Sequence, residues 1–118
     1  MREVLLIDLE DEAEAIARYE AWHAAGAVPG AVVGSICAAG ISDMEIYRSG
    51  NRLVMVMETD PGFDPAAKAA ADAADPAVQE WETLMDSVQR PLSWGSAESK
   101  WTAATRIFSL QQQTSGKG

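Results

Sequence analysis

The stretch Asp43–Glu58 constrains the fold more than any other part of the chain. Asp43-Met44-Glu45-Ile46-Tyr47-Arg48 alternates polar and apolar residues, and Arg52-Leu53-Val54-Met55-Val56-Met57-Glu58 does so in part. Ser49-Gly50-Asn51 lies between them. Two extended runs about a tight Gly/Asn turn predict a β-hairpin. On its first strand Asp43, Glu45 and Tyr47 share one face, and Met44, Ile46 and Arg48 share the other.

The segments on either side predict the rest. Val4-Leu5-Leu6-Ile7 is a short apolar run closed by Asp8-Leu9-Glu10-Asp11, which predicts a buried strand. Asp11 suits a helix N-cap, with acidic Glu12 and Glu14 at the positive end of the helix. Ala13, Ile16, Ala17, Glu20 and His23 follow at helical spacing, flanked by Tyr19 and Trp22, and Gly26 ends this helix. Pro29-Gly30 restarts the chain. Val32, Val33, Ile36 and Cys37 recur at helical offsets up to a C-cap at Gly40.

Beyond the hairpin, Thr59-Asp60-Pro61-Gly62 is a turn. Asp64-Pro65 opens an alanine-rich helix running from Ala66 to about Ala74. Asp75 caps another, with Pro76 at its first position. Val78, Trp81, Met85 and Val88 form its buried stripe, and Pro91 closes it. Leu92–Ser99 is a loop containing Trp94. Trp101 to Leu110 alternates and predicts a last strand.

The resulting order is βαββαβ, an α+β, ferredoxin-like arrangement with an antiparallel sheet and helices on one face. The other face needs a cover, so a sheet-to-sheet homodimer, a dimeric α/β barrel, is expected. Residues 1–110 form the domain. Residues 111–118 are a polar tail expected to be mobile.

Composition removes several function classes. A chain of 118 residues suits one domain. One cysteine, Cys37, excludes an intramolecular disulfide, and with a single histidine it excludes a Cys/His zinc site. Cys37 itself is expected to be buried on its helix. A net charge of −9 argues against nucleic acid and against an anionic membrane surface. No apolar run approaches the roughly 20 residues of a membrane span. No secretory signal pattern follows Met1-Arg2-Glu3, so a cytoplasmic location is expected.

The chemistry that remains is acid–base chemistry. His23 sits four residues after Tyr19, so both project from one helix face. An imidazole exchanges a proton near neutral pH, and a phenol beside it can share a hydrogen bond. A histidine there would equally cap its helix. Trp81 can stack on a sugar ring or simply fill the core. Glu82 beside it, and Glu45, Tyr47 and Glu58 from the hairpin, can grip hydroxyls or lie on a wet face. The chain has no Gly-x-Ser-x-Gly elbow, Walker loop or dinucleotide fingerprint. No cofactor or metal is expected.

Together these residues resemble the L-rhamnose mutarotase family across about residues 3 to 110. The resemblance rests on Tyr19-Glu20-Ala21-Trp22-His23, then Pro29, then Gly40-Ile41-Ser42-Asp43-Met44-Glu45-Ile46-Tyr47. It continues through Met55-Val56-Met57-Glu58 and Val78-Gln79-Glu80-Trp81-Glu82-Thr83-Leu84-Met85. It implies interconversion of the α and β anomers of a 6-deoxy-L-sugar by a small homodimer. His23 would be the proton donor, and Tyr19 and Trp81 would contact the monosaccharide. Met44 stands where the family has a substrate-binding tyrosine, Glu82 where it has a second tryptophan, and Val28-Pro29 where Trp-Pro is common. These departures bear on which sugar is taken. The wording Asp-Met-Glu-Ile-Tyr and Met-Glu-Thr-Asp is similar to a branch associated with L-fucose. A non-catalytic sugar-binding dimer would keep Trp81 without needing His23, and a cofactor-free monooxygenase of the same fold would need a greasier pocket.

Overall fold

The computed structural model describes residues 1–96 and 99–115. Ten elements follow in order: β1 (Arg2–Leu9), α1 (Ala13–Trp22), α2 (Gly30–Ala38), β2 (Ile41–Ser49), β3 (Arg52–Thr59), α3 (Pro65–Ala73), α4 (Pro76–Asp86), β4 (Gln89–Arg90), β5 (Thr102–Ala103) and α5 (Leu110–Ser115).

The predicted hairpin is β2–β3. Its strands pair antiparallel with Ile46 opposite Met55 and Met44 opposite Met57. Gly50 in the turn has φ 60°, a conformation that favours a residue without a Cβ. β1 lies against the other edge of β3, with Leu5 opposite Met55 and Ile7 opposite Leu53. The sheet order is β2-β3-β1-β4, all antiparallel. This is the predicted α+β arrangement.

Alternation divides the sheet into two faces. Ile7, Leu9 and Leu53 point to the helices and join Ala15, Tyr19, Met85 and Val88 in the core. Val4, Leu6, Val54 and Val56 point away, to a face that carries no helix. Ion pairs of Arg2 with Glu58 and of Arg52 with Asp8 close the two ends of that face.

The helix signals hold for α3 and α4. The carboxylates of Asp64 and Asp75 accept from Ala66 N–H and Ala77 N–H, each at 3.0 Å, and a proline follows each cap. Val78, Met85 and Val88 are buried as the stripe predicts, and Trp81 packs at the edge of the core. α2 ends where expected, with Gly40 at φ 92° just beyond its C-cap, Ala39.

Three local expectations are corrected. Glu12, not Asp11, is the N-cap of α1, and no side chain bonds the helix end there. The inward line of α1 is Ala15 and Tyr19, with Ile16 and Trp22 partly covered, while Ala13, Ala17 and Glu20 face solvent. A tyrosine ring buries far more apolar area than the alanines one position away, so the helix turns Tyr19 inward. Cys37 is exposed, because Val32 and Ile36 set the inward side of α2 and Cys37 lies about 100° past Ile36.

The last strand differs most. β5 is two residues long and pairs with Leu5 and Leu6 of β1; one further bond runs from Ala104 N–H to the Val4 carbonyl at 2.8 Å. The outer edge of β1 is shared, since β4 takes Asp8 and Leu9. Residues 104–109 then leave the sheet, with Ile107 96% and Phe108 62% exposed. Their alternating pattern is strand-like, but beyond the Ala104 bond they join no strand among the described residues. The predicted mobile tail begins with the helix α5.

Candidate active site

A cavity of about 270 Å³ lies between the helix-facing side of the sheet and the helices. Its floor is Met44, Ile46, Met55 and Met57 from the hairpin. α1 contributes Tyr19 and His23, α4 contributes Trp81, Glu82 and Met85, β4 contributes Gln89, and the segment before β5 contributes Lys100 and Trp101. The size is close to the lower end of small-molecule sites and suits one monosaccharide ring.

The end of α1 places the imidazole. The His23 N–H bonds the Glu20 carbonyl at 3.2 Å, three residues back, as the last turn tightens. The Tyr19 carbonyl is one of the helix-end acceptors left over. His23 Nδ1 donates to it at 2.7 Å. A carbonyl can only accept, so the proton sits on Nδ1 and the lone pair of the neutral ring is on Nε2. The ring is further held by stacking on Tyr19, centroids 4.0 Å apart, and by the edge of Trp81 at 5.2 Å.

Burial lowers the pKa of His23, and the bond to the Tyr19 carbonyl offsets only part of this. The imidazole is therefore neutral at pH 7. Tyr19 is 3% exposed, and burial pushes its phenol up to about 12, against the opposing effect of the Gln89 amide at its hydroxyl. It stays protonated at neutral pH.

Two groups of polar side chains on the wall are paired among themselves. Ser35 Oγ and Lys68 Nζ both donate to Asp72, joining α2 to α3. Lys100 Nζ donates to Glu82 and, at 2.9 Å, to Asp86, which ties the segment before β5 to α4. Among the described residues, no group of three or more His, Cys, Asp or Glu side chains is placed to hold a metal ion, and no helix is long and apolar enough to cross a membrane.

The structure thus brings Tyr19, His23, Met44, Trp81 and Glu82 to one cavity. The three other hairpin candidates lie elsewhere. Glu58 pairs with Arg2 at 3.1 Å, and Glu45 accepts from the Tyr47 hydroxyl at 3.0 Å. Both carboxylates belong to the face of the sheet opposite the cavity, as two-residue alternation requires. Tyr47 shares the Glu45 face of β2, and it also borders a separate depression at the β2 edge with Glu20, His23 and Arg48. Gln89, Lys100 and Trp101 line the cavity without having been singled out from sequence. No periodicity marks them, because they follow the last clear helix.

An open antiparallel sheet that gathers a lone imidazole, a phenol and an indole at one cavity defines a small α+β protein with an acid–base group in a pocket the size of one small molecule. The chain belongs to the L-rhamnose mutarotase family, whose model matches residues 2–110. It is 48% identical over 110 residues to an L-fucose mutarotase of Xanthomonas campestris pv. campestris, covering 93% of this chain and 88% of the relative. The crystal structure of an L-rhamnose mutarotase from Formosa agariphila superimposes with a TM-score of 0.66 at 13% identity, over 93% of this chain and 98% of that one. Tetracenomycin F2 cyclase from Streptomyces glaucescens, a type-II polyketide cyclase, shares the fold with a TM-score of 0.53 at 18% identity, over 92% and 95%.

Proposed function

We propose that the protein interconverts the α and β anomers of a 6-deoxy-L-hexose, with L-fucose preferred to L-rhamnose. The orientation of His23 carries the reading. Its Nδ1–H is tied to the Tyr19 carbonyl, which leaves the lone pair on Nε2, with no hydrogen-bond partner among the described residues, to act on a substrate. The high identity to an L-fucose mutarotase supports the choice of sugar.

The reaction needs two proton movements. Nε2 accepts the proton of the anomeric hydroxyl as the bond from C1 to the ring oxygen breaks, and the aldehyde carbonyl forms. The imidazolium then gives that proton to the ring oxygen, which becomes the C5 hydroxyl. Both oxygens are bonded to C1, so one imidazole serves both with little motion. The aldehyde rotates about C1–C2 and the steps reverse on its other face. The Tyr19 carbonyl holds the Nδ1 proton throughout. Trp81 packs against the apolar face of the sugar, and Glu82 and Met44 border the remaining hydroxyls. A positioned base of this kind supplies roughly 10²–10⁴-fold acceleration.

We also read the working form as a homodimer joined through the helix-free face of the sheet. Val4, Leu6, Val54 and Val56 lie at the centre of that face, and the apolar residues Ile107 and Phe108 extend beyond the protomer's own sheet.

Anomer exchange measured by saturation-transfer NMR, with L-fucose and L-rhamnose side by side, tests the function. Acceleration by the wild type that is lost in a folded His23→Ala variant is the expected result. No acceleration of either sugar, or full activity in His23→Ala, overturns it.

A further inference from the structure

The polar groups on the cavity wall differ in what they have left to offer. Ser35, Lys68 and Asp72 satisfy one another, and Lys100 satisfies Glu82 and Asp86. Gln89 is different. It is 6% exposed, its backbone is paired with Leu9 of β1, and its Oε1 has no hydrogen-bond partner among the described residues. Buried amide oxygens are nearly always paired, so an orphan beside a ligand cavity points to a donor that arrives with the ligand. Methionine would fill the same volume without a polar end, as Met55, Met57 and Met85 do elsewhere on the wall.

Its place relative to the imidazole is informative. Tyr19 spans the two, with its carbonyl on His23 and its hydroxyl beside the Gln89 amide. His23 and Gln89 line the same cavity, and the Tyr19 side chain lies against both, so one small molecule in that cavity meets the imidazole and the amide together. The last torsion of a glutamine is broad, so the amide can turn its oxygen to the cavity without disturbing β4.

We propose that Gln89 accepts a hydrogen bond from a hydroxyl of the bound sugar and so determines which 6-deoxy-L-hexose is taken. The proposal rests on the mutarotase reading. L-fucose and L-rhamnose differ in configuration only at C2 and C4, so the hydroxyl concerned is one of these two. A site that hydrogen-bonds a particular hydroxyl discriminates strongly against a substrate that cannot present it.

The test pairs a change in the protein with a change in the sugar. Catalysed anomer exchange is measured for wild type and Gln89→Met with L-fucose, 2-deoxy-L-fucose and 4-deoxy-L-fucose. In the wild type, one deoxy sugar is expected to lose roughly tenfold in exchange efficiency, the effect of one hydrogen bond. Gln89→Met should lose about as much on L-fucose and show no further loss on that deoxy sugar. Losses that multiply for both deoxy sugars overturn the proposal, as does wild-type efficiency in a folded Gln89→Met. Thermal melting checks the fold. If Gln89→Met does not fold, the wild type decides: equal efficiency on L-fucose and both deoxy sugars overturns the proposal, and a tenfold loss on one supports it. Wild type that accelerates no sugar shows instead that the mutarotase reading has failed, and the proposal falls with it.

Discussion

The Trp81 indole meets the His23 imidazole edge to face, with ring centroids 5.2 Å apart and planes at 65°. α4 and α1 thus present an apolar ring and a base to the same small volume. Binding and chemistry are assigned to different side chains and should separate on mutation.

Replacing His23 removes the base and little of the core, since the ring is only half-buried. His23→Ala is expected to lower the catalysed exchange rate by roughly 10²–10⁴-fold. Sugar binding, followed by NMR titration, should change far less. A comparable loss of binding would assign His23 to recognition instead.

Trp81→Ala should show the opposite split. The predicted change is roughly tenfold in KM, from loss of ring contact, with a smaller change in kcat. Initial rates of anomer exchange over a range of sugar concentrations measure both constants.

The pH dependence follows from burial of His23. Exchange needs the lone pair on Nε2, and burial lowers the pKa of the ring. The rate should therefore rise with pH and level off, with its midpoint below the ordinary value of about 6.5. Stability moves in the same sense. The unfolded chain has the higher pKa, so it binds more protons in the window between the two values. The stability from a neutral His23 is complete above about pH 6.5 and is lost as pH falls through the folded-state pKa. Urea melts of wild type and His23→Ala should diverge in their pH dependence only in that acid window.

Tyr19 separates packing from hydrogen bonding. Tyr19→Phe keeps the stacked ring and the backbone carbonyl, so exchange should fall much less than in His23→Ala. Tyr19→Ala opens a cavity in the core and should cost about 3–5 kcal/mol of stability. Denaturant melts measure that cost. A Tyr19→Phe variant as inactive as His23→Ala would make the phenol itself a proton carrier.

The homodimer is tested at the helix-free face of the sheet. Leu6→Glu puts a carboxylate among Val4, Val54 and Val56 without touching the core side. Sedimentation should show a dimer for wild type and a monomer for a folded Leu6→Glu. A monomeric wild type removes the interface.

How much was legible in the sequence depended on how local each signal was. The hairpin, the Asp-Pro helix starts and the Val78–Val88 stripe were readable, because a turn, a cap or a helical period is written in adjacent residues. That Tyr19 and His23 share a helix face was readable from their spacing, but that Trp81 joins them was readable only through the family resemblance. It depends on two helices separated by the whole hairpin. That the carboxylates Glu45 and Glu58 lie on the face away from the cavity was not readable, because alternation tells which residues share a face, not which face is covered. The strand over Trp101–Leu110 failed for a related reason. Its pattern is strand-like, but only three of its residues, from Thr102 to Ala104, find partners on β1. Gln89 carries no local signal at all, because a buried amide oxygen without a partner among the described residues shows only once the chain is folded.

The group that orients the imidazole is the main-chain carbonyl of residue 19. Every amino acid carries that carbonyl, so no point substitution at position 19 deletes it. That bond is lost when the helix end itself changes, through an insertion, a deletion or a proline that reshapes the turn from Tyr19 to His23. Along a line of descent, the sugar-facing side chains are therefore free to vary one at a time while the proton-transfer geometry persists. On the proposed reading, a change of substrate asks less of this scaffold than a change of reaction.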